Sequence, residues 1–586
     1  MSLLLVLATQ FVLVRCLIPN NNLLGRNAFA QPNLQAVTVS APVTIKNLLR
    51  PKVAVVLASE DSVSTFKTKP FDSPVTWHEV MEQVAEKVRW EHINNPEYDD
   101  KGKNTLENLS LEIFTLQDLV QLHTAQGIKG PSAGADVVLL VGLSDVDSEQ
   151  LLSSDAIRSF CATSKAVVPL DCSGTLYSSL EKYGAFTPLD PLEPVKQVFD
   201  GIIRGQRFKN KALQSIVADL WQRKSSGDIL FMALVLADAF GDVSIKSVTS
   251  VTNTESTSLA QLGCMVSNCR EEIFDCLGDP ECKAALDCLN GCKGNDQVCS
   301  YRCITSHETA KFEKFAMCIL QKNNCMGNSA IAPIYPDPQP MIEFRGAALT
   351  HEAAEAIFVG HLKPRAGENH MLLSDQANLP QWSWKVELRE RTSIIHHSSL
   401  QTASLTTSSI ILIQVVCGQN PAYDYFSCQH QIFYLDKRSK STMWYDPVFK
   451  VTTLAGVPVW RRRHYRVKRA ANPGQFNLSV LDNGVTSKEF WRILDCADDL
   501  SWAVFYYTGA AAAAGTSYSG ALLVTKDGSW PTMSTDSESE GGKTALRIER
   551  AMASGGIKMW ELYEVPNGCC EGTEPGGPGP APLGRN

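Results

Sequence analysis

Residues 263–325 read GCMVSNCREEIFDCLGDPECKAALDCLNGCKGNDQVCSYRCITSHETAKFEKFAMCILQKNNC, and they hold ten of the 18 cysteines of the chain. The ten stand at 264, 269, 276, 282, 288, 292, 299, 303, 318 and 325. So short a stretch with few large apolar residues hides little apolar surface, so cross-links must supply much of its stability. An even count at this density reads as a disulfide framework formed in an oxidising compartment. Cys288/Cys292 and Cys299/Cys303 are i,i+4 pairs, each along one face of a helix. Lys293–Val298 between them, with Gly294, Asn295 and Asp296, is turn-like. Folding back there pairs Cys292 with Cys299 and Cys288 with Cys303. The same logic around Leu277–Pro280 pairs Cys269 with Cys276 and Cys264 with Cys282, leaving Cys318 for Cys325. No CxxC occurs and His307 is the one nearby histidine, which speaks against zinc, and no metal is expected.

Outward from this module, 586 residues allow three or four domains. A net charge of −8, with no basic stripe interleaved with aromatics, gives no reason to expect a nucleic-acid partner. Residues 1–52 read as a targeting peptide: Met1–Ser59 has no Asp or Glu but carries Arg15, Arg26, Lys46, Arg50 and Lys52. Such a leader fits transit into an organelle. The apolar Met1–Ile18 with Ala28-Phe29-Ala30 fits the secretory pathway instead.

The fold class expected is multidomain α+β. In 53–243 the buried-strand runs VAVVLA (Val53–Ala58), VVLLV (Val137–Val141) and AVVPL (Ala166–Leu170) alternate with helical patterns, which predicts an α/β layer with a mostly parallel sheet. No glycine-rich phosphate motif follows these strands, so the domain's role stays open. Residues 244–260 read as a linker, 261–328 as the cysteine-rich helical domain and 329–381 as a Pro-rich spacer and extension. From 382 to 566, short strands broken by turns such as Asp482-Asn483-Gly484 predict an antiparallel barrel followed by a C-terminal helix. Residues 387–415 fit no barrel strand and read as an insertion; 567–586 read as a disordered tail. The basic run Arg461–Arg469 (RRRHYRVKR) reads as a solvated strand face or as an attractor of anions and headgroups.

The cysteine ladder is followed by Gly418-Gln419-Asn420-Pro421-Ala422-Tyr423-Asp424-Tyr425-Phe426-Ser427-Cys428-Gln429, then by Phe490-Trp491-Arg492-Ile493-Leu494, Phe505-Tyr506-Tyr507 and Tyr518-Ser519-Gly520-Ala521. Over about residues 260–565 this pattern resembles the violaxanthin de-epoxidase family and its relatives. The resemblance implies a lipocalin-like eight-stranded barrel and the same nesting of disulfides, with Cys428 tied to Cys569 or Cys570. It implies reductive de-epoxidation of a carotenoid in the thylakoid, with ascorbate as reductant and peripheral contact with the membrane. A protonated carboxyl beside an apolar cavity suits that chemistry, since epoxide opening needs a proton on oxygen.

By this resemblance Asp424 and Glu489 are the expected catalytic carboxyls, and Tyr423, Gln431, Trp491, Tyr507 and Tyr518 the expected substrate-binding residues. The family pattern departs at Ser427, Gln431, Thr516 and Val524, with His430 one place before the family histidine. Neighbours on a strand face opposite sides, so that shift decides whether an imidazole reaches the interior. An oxidoreductase and a non-catalytic carrier of a carotenoid-like ligand are the two functions to separate.

Overall fold

The computed structural model describes residues 52–94, 106, 109–126, 135–155, 160–161, 164–181, 205–241, 245, 248, 259–292, 297–359, 412–419, 426–435, 443–453 and 455–568. The leader up to residue 51, Tyr423, Asp424, Cys569, Cys570, residues 387–411 of the expected insertion and the tail from 569 lie outside them. The chain divides into two compact units, one within Asn20–Glu255 and one containing Ser256–Asn586.

In the first unit, β1 (Val53–Leu57), β4 (Leu111–Thr115), β5 (Val137–Val141) and β6 (Ala166–Leu170) form a parallel sheet in the order β4-β1-β5-β6. All residues of β1, β5 and β6 are buried, as unbroken apolar runs in a sheet covered on both faces must be. A hairpin of β2 (Val63–Thr68) and β3 (Ser73–Thr76) leads into α1 (Trp77–Asn94); α2 (Leu116–Gln126), α3 (Asp145–Ser153), α4 (Gly174–Glu181), α5 (Gly205–Gln222) and α6 (Ser226–Phe240) complete the unit. Strand order reverses between β1 and β5, where such folds commonly bind ligands. Here the chain's own aromatics occupy the carboxyl end of β5. Trp77 stacks on Trp221 at 5.4 Å, and Lys224 lies 4.2 Å over Trp221 while pairing with Asp171. Gly142 sits at φ +65°, and a Cβ there would lie 2.4 Å from Trp77 Nε1.

The second unit begins with the cysteine module: α7 (Leu259–Asn268), α8 (Arg270–Leu277), α9 (Pro280–Gly291), α10 (Gln297–Ser306) and α11 (Ala310–Ala316), which runs on through a π turn over Met317–Lys322. Its bonds are Cys264–Cys325, Cys269–Cys318, Cys276–Cys282, Cys288–Cys303 and Cys292–Cys299. The nested pair across α9 and α10 is the one expected. The pairings Cys264–Cys282, Cys269–Cys276 and Cys318–Cys325 are corrected. Cys269 caps α8 and Cys276 lies near its other end, so at 1.5 Å per residue they stand about 10 Å apart, beyond disulfide reach. The turn at Leu277–Pro280 is real, but it brings Cys276 to Cys282. Cys264 and Cys269 instead cross to the far end of the module. Cys428 is also disulfide-bonded, to a cysteine outside the described residues.

From Cys325 the Pro-rich segment runs along the barrel. Asn328 Nδ2 donates to Ala513 O (2.9 Å), Tyr506 Oη to Pro336 O (3.2 Å) and Met341 N to Ile493 O (2.9 Å). It ends in a two-strand turn, β7 (Glu343–Phe344) and β8 (Ala347–Ala348), and in α12 (His351–Val359). The barrel strands are β9 (Leu412–Gly418), β10 (Ser427–Leu435), β11 (Met443–Thr452), β13 (Tyr465–Arg469), β14 (Gln475–Asp482), β15 (Val485–Cys496), β16 (Trp502–Ala511) and β17 (Thr516–Thr525). They pair antiparallel in sequence, and β9 pairs with both β17 and β10, so the eight-stranded sheet closes on itself. Residues 412–415, expected within the insertion, belong to β9. β12 (Pro458–Arg462) adds to β11, and β18 (Tyr563–Glu564) follows α13 (Glu540–Ser554) onto β9. The fold is therefore multidomain α+β, with a parallel α/β layer, a disulfide-rich helical module and a lipocalin-like antiparallel barrel.

Four arginines of the basic run are held by ion pairs, while Arg466 and Lys468 stand exposed on β13. Arg461 and Arg463 both reach Glu308 of the cysteine module, Arg463 also pairs with Asp482 (2.8 Å), Arg462 pairs with Asp446, and Arg469 reaches Glu352 (3.2 Å) and Glu355 on α12.

Candidate functional site

Period-two alternation turns Glu489, Trp491 and Ile493 of β15 to one face, and Trp491 and Ile493 belong to the barrel's apolar core. Glu489 is buried among three donors. Tyr518 Oη (2.8 Å) and Tyr465 Oη (3.1 Å) donate to Oε1, and Trp491 Nε1 donates to Oε2 (2.7 Å). Burial pushes this carboxyl's pKa up, against the pull of those hydrogen bonds. Burial, with the Glu489 charge beside it, also pushes the Tyr518 phenol well up. The result is a carboxyl inclined to hold its proton, with phenols on which a proton can be relayed.

The site extends through packed rings. Trp491 stacks on Tyr507 at 5.3 Å, and Tyr507 meets Tyr518 edge-on at 6.3 Å. Tyr445 lies 5.4 Å from Trp491 and 5.3 Å from Tyr465, and its hydroxyl donates to Gln431 Oε1. Two glycines make this packing fit. A Cβ on Gly509 would lie 2.7 Å from the Tyr518 ring and 2.9 Å from Glu489 Cγ; one on Gly520 would lie 2.5 Å from Tyr507 Oη.

Of the expected residues, Gln431, Glu489, Trp491, Tyr507 and Tyr518 come together, while Tyr423 and Asp424 lie outside the described residues. His430 is not part of the group. It faces the other side of β10 and stacks on Trp460 at 6.1 Å, and burial lowers its pKa to about 4. Position 431, which faces the interior, thus carries an amide. Tyr465, Tyr445, Gly509 and Gly520 were not singled out from sequence. Tyr465 is hidden within RRRHYRVKR, although the alternation Tyr465-Arg466-Val467-Lys468 marks it as inward.

A disulfide-stapled helical module set on a closed antiparallel barrel, with one carboxyl buried among aromatic donors, defines a lipocalin-type protein with a polar centre in an apolar interior. Residues 261–351 and 368–547 match the family model described as the VDE lipocalin domain. It is 24% identical over 87 residues to the chloroplastic violaxanthin de-epoxidase of Arabidopsis thaliana, covering 14% of this chain and 19% of that protein. Against the chloroplastic violaxanthin de-epoxidase of Nicotiana tabacum it is 25% identical over 81 residues, covering 14% and 17%. The aligned stretch thus spans under a fifth of the curated relatives. Among solved structures, the siderocalin Ex-FABP (12% identity, 27% of this chain and 91% of that one) and the cockroach allergen Per a 4 (9%, 27% and 85%) match with TM-scores of 0.20 and 0.19.

Proposed function

We propose that the barrel binds a lipophilic, conjugated ligand of the epoxy-carotenoid class and that Glu489 is the general acid of a reductive de-epoxidation. The observation that carries this reading is the buried Glu489 carboxyl, its pKa raised, held by Tyr465, Tyr518 and Trp491 inside an aromatic interior. In the reaction, protonated Glu489 gives its proton to the epoxide oxygen as a carbon–oxygen bond breaks. An ascorbate-class reductant supplies two electrons and the second proton, the oxygen leaves as water, and a double bond forms in the ligand. Asp424 is the proposed second carboxyl. The disulfides support an oxidising compartment, and the chloroplastic relatives support a thylakoid lumen reached by a transit peptide, with peripheral membrane contact at substrate loading.

The test is purified full chain with violaxanthin, galactolipid and ascorbate at acid pH, followed by separation of the pigments. Product formation that falls at least a hundredfold in Glu489→Gln supports the reading. Carotenoid binding without any product would sink it. That outcome is the second reading, a carrier without catalysis, and the amide at inward position 431 with His430 turned away favours it.

A further inference from the structure

The face of α12 toward the barrel is apolar, with Ala354, Ile357 and Phe358 buried, and its other face carries Glu352 and Glu355. Phe358 is fully buried within an aromatic box. It stacks on Phe476 at 4.2 Å and meets Phe433 at 4.6 Å, Phe505 at 5.6 Å and Trp491 at 6.0 Å, the last three edge-on. Those walls come from four different strands of the barrel. The box therefore encloses one flat six-membered ring, and the ring it now holds comes from outside the barrel strands. Trp491 is shared: it borders the Phe358 ring and donates to Glu489.

We propose that α12 is a lid and that Phe358 occupies the subsite for the flat, apolar, ring-bearing end of the barrel's ligand. This inference rests on the lipophilic-ligand reading of the barrel. A ring in the Phe358 position would pack on Trp491 and bring the adjoining part of the ligand toward Glu489. The exchange costs little, because burial of a ligand ring replaces burial of a phenyl ring of similar area. What fastens the lid from outside is Arg469, itself 41% exposed, which holds Glu355 through both carboxylate oxygens and Glu352 at 3.2 Å, so this latch is modest. The lid is held chiefly by its own apolar side chains, which are the ones an incoming ligand substitutes.

The experiment titrates all-trans-retinol, a ring-ended polyene, into the full chain and follows its fluorescence. Phe358→Ala, which empties the box, should bind about tenfold more tightly than the unaltered chain, since no internal ring competes. Arg469→Gln keeps Phe358 and loosens only the latch, and should bind about two- to threefold more tightly. It carries the test if Phe358→Ala does not fold. Retinol binding to the unaltered chain that neither substitution tightens overturns the lid and leaves the barrel reading standing. No binding by any of the three overturns both.

Discussion

Glu489 and His430 are buried titratable groups whose pKa values move away from their ordinary ranges with opposite consequences for stability. Glu489 has a raised pKa in the folded chain. Between the ordinary carboxyl value and that raised value, the folded chain keeps a proton that the unfolded chain has released, so stability falls as pH rises through the window. Glu489→Gln should flatten this decline, read as melting temperature against pH above about 4.5; an unchanged slope would show that the carboxyl ionises freely. His430 falls from 6.5 to about 4. In that interval the unfolded chain takes up a proton that the buried imidazole refuses, so stability falls as pH falls. At about 1.4 kcal/mol per unit, the loss approaches 3 kcal/mol by pH 4. His430→Gln should remove it, and urea midpoints for the two chains at about pH 7 and pH 4.5 decide the matter. Gly509 belongs to the same scale. Gly509→Ala places a methyl against Tyr518 and Glu489, which should cost about 1–3 kcal/mol and weaken retinol binding as the centre shifts. Unaltered stability and affinity together would mean that these side chains move aside freely.

At the scale of elements, the buried strands of the α/β layer were legible because an unbroken apolar run has few ways to be satisfied. VAVVL and VVLLV became the two central parallel strands, and AVVPL the buried edge strand beside VVLLV. The α9–α10 disulfides were legible too, since a turn between two i,i+4 pairs fixes its own nesting. The remaining pairings were not, because local spacing carries no information on which distant helix packs beside Cys264 or Cys269. For the same reason the partners of the basic run on β12 and β13 were hidden: charge shows in sequence, but the Glu308 and Glu355 that answer it are remote. The long closures make a distinct prediction. Cys264–Cys325 spans 61 residues and Cys276–Cys282 spans 6. By chain entropy the first contributes about 4 kcal/mol and the second roughly 2. Replacing both cysteines of the outer bond with serine should therefore lower the guanidinium midpoint about twice as far as the same change at the inner one. Equal losses would mean that native packing, not closure, sets the contribution.

Across the second unit, the cysteine module and the barrel share one buried ionic joint, and this argues that they unfold together. Glu308, in the loop after α10, receives Arg461 Nε at 3.0 Å and Arg463, and also accepts from Asn483 Nδ2 at 3.1 Å. Arg461 Nε further donates to Thr305 O at 2.7 Å, and the Tyr301 ring packs 6.0 Å from Phe426. Asp482 and Glu308 hold the Arg463 guanidinium firmly charged despite its burial. Removing one carboxylate leaves buried positive charge poorly compensated, a loss of about 3 kcal/mol. The cysteine module holds no tryptophan and eight of the chain's 11 lie at 382–560, so that with Trp77, Trp90 and Trp221 of the α/β unit changed to phenylalanine throughout, tryptophan fluorescence reports the barrel and the module's disulfides report the other half. With Glu308 in place, tryptophan fluorescence and the exposure of disulfides to a mild reductant should change at the same denaturant concentration. Glu308→Gln should shift both midpoints downward in step, because the joint belongs to neither half alone. Two separated transitions with Glu308 in place would falsify this coupling. A shift confined to the tryptophan signal would place Glu308 in the barrel's stability only.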